Sequence, residues 1–254
     1  MKKFPIIFAG AGPGAPDLIT VRGMKALEAA DYILYAGSLV PEAVLTWAGA
    51  AAKKESSAGM HLEEMVDAMA HARDKGLRVV RLHTGDPSLY GAVAEQMALL
   101  DQRGIDYEMI PGVTAAFAAA AALKVEYTVP EKSQTLIFTR LSGRTPVPEK
   151  ESLESLAAHK ASMAIYLSAG MAGQVEKILA AAYGPEAPVA VAYRMSHPEE
   201  RILVTVVERL AQTMAENDIN RLALIIVGPF LETDKDVRSL LYDRAFRHGY
   251  RDKA

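Results

Sequence analysis

Residues 4–16 read FPIIFAGAGPGAP, an apolar run that passes directly into a turn rich in glycine and proline. The run predicts a buried strand over residues 4–9, and the glycines and prolines predict the loop that follows it. Amphipathic spacing then predicts a helix over residues 20–30, and another apolar run predicts a strand over 32–35. Strand, helix and strand in this order are typical of a parallel α/β sheet.

The same alternation continues along the chain, with Gly76 and Gly104 standing where the C-caps of helices are expected. Only residues 194–200 separate the apolar runs 188–193 and 201–207. This connection is too short for a helical crossover, so the two runs are expected to pair as an antiparallel hairpin. The further predicted strands are 78–82, 107–110, 135–139, 162–167, 188–193, 201–207 and 222–227, and the further predicted helices are 41–47, 61–75, 88–103, 114–123, 152–159 and one ending near 217.

The predicted fold is α/β, with two α/β domains. A mostly parallel sheet is expected in an N-terminal domain over residues 1–124, and a mixed sheet in a C-terminal domain over 125–231. A tail over residues 232–254 is expected to be a surface helix or a dimer arm, because it mixes charges with the apolar cluster Leu240-Leu241-Tyr242.

The composition excludes several classes of protein. The 254 residues carry 28 Lys+Arg and 31 Asp+Glu, a net charge of −3 that gives no bulk attraction to nucleic acid. There are no cysteines, and the six histidines form no HExxH spacing, so no metal site is predicted. No signal peptide and no apolar stretch of about 18 residues is present. A cytoplasmic protein without a nucleic-acid or membrane partner is expected.

The glycine-rich loop, Gly10-Ala11-Gly12-Pro13-Gly14-Ala15, formally matches the G-x-G-x-x-G/A fingerprint of dinucleotide-binding proteins. Two features argue against NAD binding: Pro13 removes an amide donor from the turn, and no acidic residue follows the strand that ends at Tyr35. The plain alternative is a tight structural turn.

Two further loops follow predicted strands, His83-Thr84-Gly85-Asp86-Pro87-Ser88 and Ile110-Pro111-Gly112-Val113-Thr114. In an open α/β sheet, ligands bind beyond the carboxyl ends of the strands, where both loops are expected. Each also has a structural explanation, because Asp86 with Pro87 and Thr114 could be N-caps of the helices that follow. The coincidence of three such loops in one half of the chain favours a binding site.

These three loops resemble the successive signatures of the tetrapyrrole (corrin/porphyrin) methylase family, over about residues 3–231. Further segments resemble the branch of the family that methylates C-11 of precorrin-4 or of its cobalt complex; they are Tyr35-Ala36-Gly37-Ser38-Leu39-Val40, Ser57-Ala58-Gly59-Met60, Gln134-Thr135 and residues 143–149.

The resemblance implies a methyltransferase of cobalamin biosynthesis that binds S-adenosylmethionine in a trough between two domains, usually as a homodimer. By position, the residues expected to bind this cofactor are Pro13, Gly85, Asp86, Ser88, Leu89, Tyr90, Thr114, Ala115, Leu167, Tyr193, Arg194 and Ala223.

The substrate that the resemblance implies is a polycarboxylate, which needs cations to bind it. His83, Arg140 and Arg144 are the expected substrate contacts, each with the alternative of a structural or solvated charge. No catalytic acid or base is identified. Members of the family that methylate uroporphyrinogen III tend to carry an acid after the second strand and a Lys-Arg pair before the Ala-Gly, and this sequence has neither, which argues against the uroporphyrinogen reaction. The alternatives left open are methylation of another precorrin carbon, an NAD(P)-dependent oxidoreductase and a tetrapyrrole carrier.

Overall fold

A computed structural model describes residues 3–37, 40–232, 239, 246 and 247. Ser38 and Leu39, and all of the predicted tail except Glu232, Ser239, Phe246 and Arg247, lie outside the described residues. Within these ranges, no helix is both long and apolar enough to cross a membrane.

The described residues form strands and helices that alternate along both halves of the chain. The strands are β1 Ile6–Gly10, β2 Tyr32–Tyr35, β3 Lys53–Ser56, β4 Val79–His83, β5 Tyr107–Ile110, β6 Leu136–Arg140, β7 Ser162–Tyr166, β8 Pro188–Tyr193, β9 Arg201–Val206 and β10 Ala223–Val227. The helices are α1 Val21–Ala29, α2 Leu62–Asp74, α3 Val93–Gln102, α4 Ala115–Leu123, α5 Leu153–Ala157, α6 Ala172–Tyr183 and α7 Leu210–Glu216.

The first sheet has the order β3-β2-β4-β1-β5, and all its paired strands are parallel. Side chains alternate between its two faces, so Phe8 and Leu34 pack in one apolar cluster while Ala9 and Ile33 pack in another. Burial on both faces explains the continuous apolar runs read from the sequence. The parallel arrangement brings the loops after all five strands to one edge.

The second sheet has the order β6-β7-β10-β8-β9 and is mixed, as predicted. Strands β6 and β7 are parallel, whereas β10 is antiparallel to both β7 and β8. The predicted hairpin is confirmed, because Pro188 pairs with Val206 and Tyr193 with Arg201 across β8 and β9.

The chain divides into two compact units that do not follow one cut in the sequence. The first unit contains residues 1–118 together with 195–199, and the second contains residues 119–194 and 200–254. The predicted domain bounds at 124 and 231 stay a prediction, as does the trough.

Several predicted elements were wrong in extent or were missed. The helix predicted over 88–103 begins only at Val93, because residues 87–91 form a tight turn in which a Cβ at Gly91 would lie 2.2 Å from Pro87 O. The helix predicted over 41–47 is reduced to a short 3-10 segment, Val44–Trp47. Strand β3 and helix α6 were not predicted at all.

Candidate functional site

Three loops meet at the carboxyl edge of the first sheet, after the adjacent strands β4, β1 and β5. The loops after β1 and β4 pair directly: Gly12 N donates to Gly85 O at 3.2 Å, and Gly85 N donates to Gly12 O at 2.8 Å. One residue earlier, Ala11 N donates to His83 O at 2.7 Å. Backbone hydrogen bonds therefore fix the glycine-rich loop against its neighbour.

The loop after β5 packs on the same pair through glycine. A Cβ added at Gly112 would lie 2.0 Å from Gly85 O, and one added at Gly10 would lie 2.5 Å from the same oxygen. Any side chain at these positions would separate the loops, so glycine is required for this close approach. Gly85 itself has a φ of +60°, a conformation that glycine adopts without strain.

Asp86 joins two of these loops through its side chain. Its Oδ2 accepts from Gly112 N at 2.8 Å, and its Oδ1 accepts from both the backbone N and the hydroxyl of Ser88. Partial burial raises the pKa of Asp86, but the bonds from Ser88 and Gly112 outweigh it and hold this pKa below its ordinary value. The alternative explanation of Asp86 as an N-cap is wrong, because helix α3 begins at Val93. The ionised carboxylate instead positions the loops.

The other residues expected in this half surround the same loops. Pro13 and Thr114 are buried, Leu89 and Ala115 are half-buried, and Ser88 and Tyr90 are exposed. Thr114 directly precedes α4, and its carbonyl accepts from Ala118 N at 3.3 Å. Tyr90 has a φ of 57°, a left-handed conformation that is uncommon for a tyrosine.

Sequence reasoning missed a segment from the second half of the chain that belongs to the first unit. Ser196 Oγ accepts a 2.9 Å hydrogen bond from Ala15 N in the glycine-rich loop. A Cβ at Gly14 would lie 2.7 Å from Met195 O and 2.5 Å from a ring carbon of His197. No local motif predicts the contact of residues 195–199 with the glycine-rich loop, because the sequence of this segment indicates only a connection between two strands.

His83 ends β4 but is enclosed, with 4% of its surface exposed. Its ring stacks on Phe8 at a centroid distance of 6.0 Å, and its Nε2 is buried without a hydrogen-bond partner among the described residues. Burial, together with the charge of Arg81, lowers the pKa of His83 to about 3, so the ring is neutral at pH 7. A substrate carboxylate would therefore meet a neutral ring, and the expected substrate contact stays a prediction.

In the second unit, the expected residues line one edge of the mixed sheet. Tyr193 pairs with Ala223, and Arg194 N donates to Leu222 O at 2.9 Å. Leu167, just beyond β7, is 69% exposed. Leu167, Arg194 and Leu222 all have φ between 47° and 55°, which is strained for residues with a side chain. Strain of this kind clusters at ligand sites, and its concentration on one edge marks this edge as a candidate site.

The two expected arginines of the second unit differ in their surroundings. Arg140 Nη1 donates to Thr145 O at 2.9 Å and Arg140 Nη2 donates to Pro146 O at 2.8 Å, so this guanidinium holds its own loop. Arg144, in the same loop, is exposed. Their roles as substrate contacts stay predictions. Among the described residues, no group of three or more His, Asp or Glu side chains could hold a metal ion.

Comparison with known proteins gives consistent matches over nearly the whole chain. A model of the family described as Tetrapyrrole (Corrin/Porphyrin) Methylases matches residues 5–211. The chain is 50% identical over 247 residues to a cobalt-precorrin-4 C(11)-methyltransferase of Methanocaldococcus jannaschii, covering 97% of this chain and 95% of that protein. It is 45% identical over 246 residues to a precorrin-4 C(11)-methyltransferase of Pseudomonas aeruginosa, covering 97% and 98%.

Solved structures agree with these matches. An X-ray structure of a cobalt precorrin-4 methyltransferase has a TM-score of 0.87 and 47% identity, covering 90% of this chain and 96% of that one. A uroporphyrin-III C-methyltransferase from Thermus thermophilus, complexed with S-adenyl homocysteine, has a TM-score of 0.75 and 27% identity, covering 89% and 97%.

Proposed function

This chain belongs to the tetrapyrrole (corrin/porphyrin) methylase family, and we propose that it transfers the methyl group of S-adenosylmethionine to C-11 of precorrin-4 or its cobalt complex, giving the corresponding precorrin-5 in cobalamin biosynthesis. The observation that carries this proposal is the identity of 45–50%, over 97% of the chain, to two relatives that are both named C(11)-methyltransferases. Because one relative is named for the cobalt complex and the other for precorrin-4, both rings are candidate substrates.

We propose that the expected residues at the carboxyl edge of the first sheet, and those at one edge of the second sheet, bind S-adenosylmethionine. In the first unit, glycine at positions 10, 85 and 112 lets three loops pack closely at the carboxyl edge of the sheet, where ligands of open α/β sheets bind, and Ser88 and Tyr90 are exposed beside these loops. In the second unit, the exposed side chain of Leu167 offers an apolar face for an adenine ring. The residues that would hold the cofactor are Pro13, Gly85, Asp86, Ser88, Leu89, Tyr90, Thr114 and Ala115 in the first unit and Leu167, Tyr193, Arg194 and Ala223 in the second.

Methyl transfer requires the protein to position the two reactants, and it does not require an acid that protonates the leaving group. The electron pair of C-11 in the electron-rich, reduced ring forms a new bond to the methyl carbon of S-adenosylmethionine while the bond from that carbon to the positively charged sulfur breaks. The sulfur departs as a neutral thioether, so the leaving group needs no acid, and the positive charge passes to the ring, which releases a proton to water. The chain holds the two reactants at attack distance and excludes water. Asp86 fits this role, because both of its oxygens are already bonded to Ser88 and Gly112 and serve to position the loops. His83 is neutral and adds no charge beside the loops, whereas the carboxylate of Asp86 is ionised.

The proposal is tested by incubating the protein with methyl-labelled S-adenosylmethionine and either precorrin-4 or cobalt-precorrin-4, and by locating the label by NMR. Label at C-11 is expected with at least one ring, and comparing the two rates identifies the preferred metal state. Label at another carbon would correct the regiochemistry. Tetrapyrrole binding without any transfer would favour a carrier instead.

We also propose that the protein works as a homodimer, as the family resemblance implies, and in the cytoplasm, as the sequence analysis expects. Light scattering coupled to size-exclusion chromatography tests the assembly directly. A mass of about twice 27.4 kDa is expected, whereas a mass of a single chain across the working concentration range would contradict the dimer.

A further inference from the structure

A buried serine lies directly beside one of the residues proposed to bind the cofactor. Ser168 is completely buried, whereas Leu167 is 69% exposed, and no large hydrophobic side chain among the described residues is more exposed. The Ser168 hydroxyl donates to Tyr166 O at 2.7 Å and accepts from Leu141 N at 2.9 Å. Neither bond has a role in the chemistry described so far.

The hydroxyl of Ser168 takes the place of a backbone hydrogen bond between β6 and β7. These strands are paired in parallel as far as Tyr166. Ser162 N donates to Thr135 O at the start of this ladder, and a parallel ladder repeats its pattern every two residues. Followed to the end of β7, the same pattern would have Leu141 N donate to Tyr166 O directly. The Ser168 hydroxyl is bonded to both of these groups, so it is inserted between the two strands where they diverge.

The bond from Ser168 to Tyr166 also constrains the backbone of the residue between them. It closes a small ring that contains both backbone torsions of Leu167, whose φ of 53° lies in the left-handed region. This region is unfavourable for leucine, because the Cβ comes too close to the following carbonyl oxygen. The hydroxyl therefore holds Leu167 in a conformation that a leucine disfavours.

Two features that are unfavourable for the chain alone coincide at Leu167: a strained backbone and an exposed apolar side chain. The ends of the neighbouring strands share the strain, since Arg194 after β8 and Leu222 before β10 are also left-handed. Strain that the surrounding structure maintains clusters at ligand sites, and an exposed apolar side chain suits the flat face of a base. Both features of Leu167 therefore have a use if adenine binds there.

We propose that Ser168 is a positioning residue for the cofactor, whose hydroxyl holds Leu167 in the left-handed conformation that presents the leucine side chain to the adenine of S-adenosylmethionine. The inference rests on the proposed function for the identity of the ligand and for the role of Leu167. Because Ser168 is completely buried, it acts through Leu167 and does not touch the cofactor. Loss of the hydroxyl should therefore weaken cofactor binding only while the Leu167 side chain is present.

The test compares Ser168→Ala with Ser162→Ala. Ser162 is a matched control because it is also completely buried and its hydroxyl also donates to a backbone carbonyl, Tyr127 O at 2.6 Å, but it lies at the opposite end of β7. Two properties are measured for each variant: the Kd for S-adenosylmethionine by calorimetry and the free energy of unfolding in urea. Leu167→Ala and the double variant with Ser168→Ala complete a double-mutant cycle.

Both serine variants should lose stability, because each loses a buried hydrogen bond to a backbone carbonyl. For Ser168→Ala, we expect the cofactor Kd to rise by about five-fold or more, the effect of one hydrogen bond. Ser162→Ala should leave this Kd within about two-fold of wild type. Leu167→Ala should also raise the Kd. In the Leu167→Ala background, Ser168→Ala should change the Kd by less than about two-fold, because the side chain that it positions is gone.

An unchanged Kd for Ser168→Ala, an equal rise for Ser162→Ala, or additive effects of positions 167 and 168 would overturn the proposal. If Ser168→Ala does not fold, Ser168→Cys keeps the shape of the side chain with a weaker donor and should raise the Kd in the same direction; a wild-type Kd for that variant would equally contradict the proposal. If the wild-type protein binds no S-adenosylmethionine, the proposed function fails and the role of Ser168 fails with it. If wild type and the Ser168 variants bind equally well, only the role of Ser168 fails.

Discussion

The enclosed His83 ring makes the stability of the first unit depend on pH. Its pKa is about 3 in the folded chain and 6.5 in its ordinary state, so between these values the unfolded chain binds the proton and the folded chain does not. Stability must therefore fall as the pH falls through this window. At pH 5 the expected loss relative to pH 8 is about 2 kcal/mol, and the full shift corresponds to about 5 kcal/mol below pH 3.

The perturbation is His83→Phe, which keeps a ring against Phe8 and removes the titrating group. Unfolding in urea is followed at pH 5, 6, 7 and 8 by the fluorescence of Trp47, the single tryptophan, which lies in the first unit and whose Nε1 donates to Pro16 O at 3.0 Å. Between pH 8 and pH 5, wild type should lose about 2 kcal/mol more than the variant. Any overpacking by Phe shifts the variant equally at each pH.

The control is His159→Gln, which removes an exposed histidine and should keep the wild-type pH dependence. Parallel curves for wild type and His83→Phe, differing by less than about 0.5 kcal/mol across this range, would refute the linkage argument. Such a result would mean that water reaches the His83 ring in the folded protein, or that the folded protein accommodates the protonated ring.

Three further changes probe the loops of the candidate site. Gly112→Ala places a Cβ 2.0 Å from Gly85 O, so we expect a loss of about 1–3 kcal/mol of stability and weaker cofactor binding by calorimetry; an unchanged Kd would contradict the close packing. Ser196→Ala removes the acceptor for Ala15 N and should cost about 1 kcal/mol in urea unfolding, and no cost would mean that water replaces the hydroxyl. Asp86 has a lowered pKa, so the stability from its hydrogen bonds is present above about pH 4 and is lost as the pH falls through the folded pKa. Asp86→Asn should lose that acid dependence and bind S-adenosylmethionine more weakly, and wild-type affinity would count against its positioning role.

Strands that consist of a short run of strand-forming residues between turn signals could be predicted from the sequence. Tyr32–Tyr35, Tyr107–Ile110 and Pro188–Tyr193 have the predicted bounds because each is a short run of strand-forming residues between turn signals. Strand β3, Lys53–Ser56, carries charges on an edge of the sheet and is stabilised by pairing with β2, which no local pattern reveals. Helix α6 was missed although Val175 and Leu179 have helical spacing and are fully buried.

The location of the candidate site in the fold could be predicted from the sequence, but most of the contacts between its residues could not. Strand ends and glycines placed three loops at one edge, and the structure brings Gly12, Gly85 and Gly112 together there. The contribution of Ser196 comes from 181 residues away in the sequence from its partner, and it depends on how the chain returns to the first unit. The enclosure of His83 is likewise a property of packing, because the same residue in an open loop would have been a cation candidate.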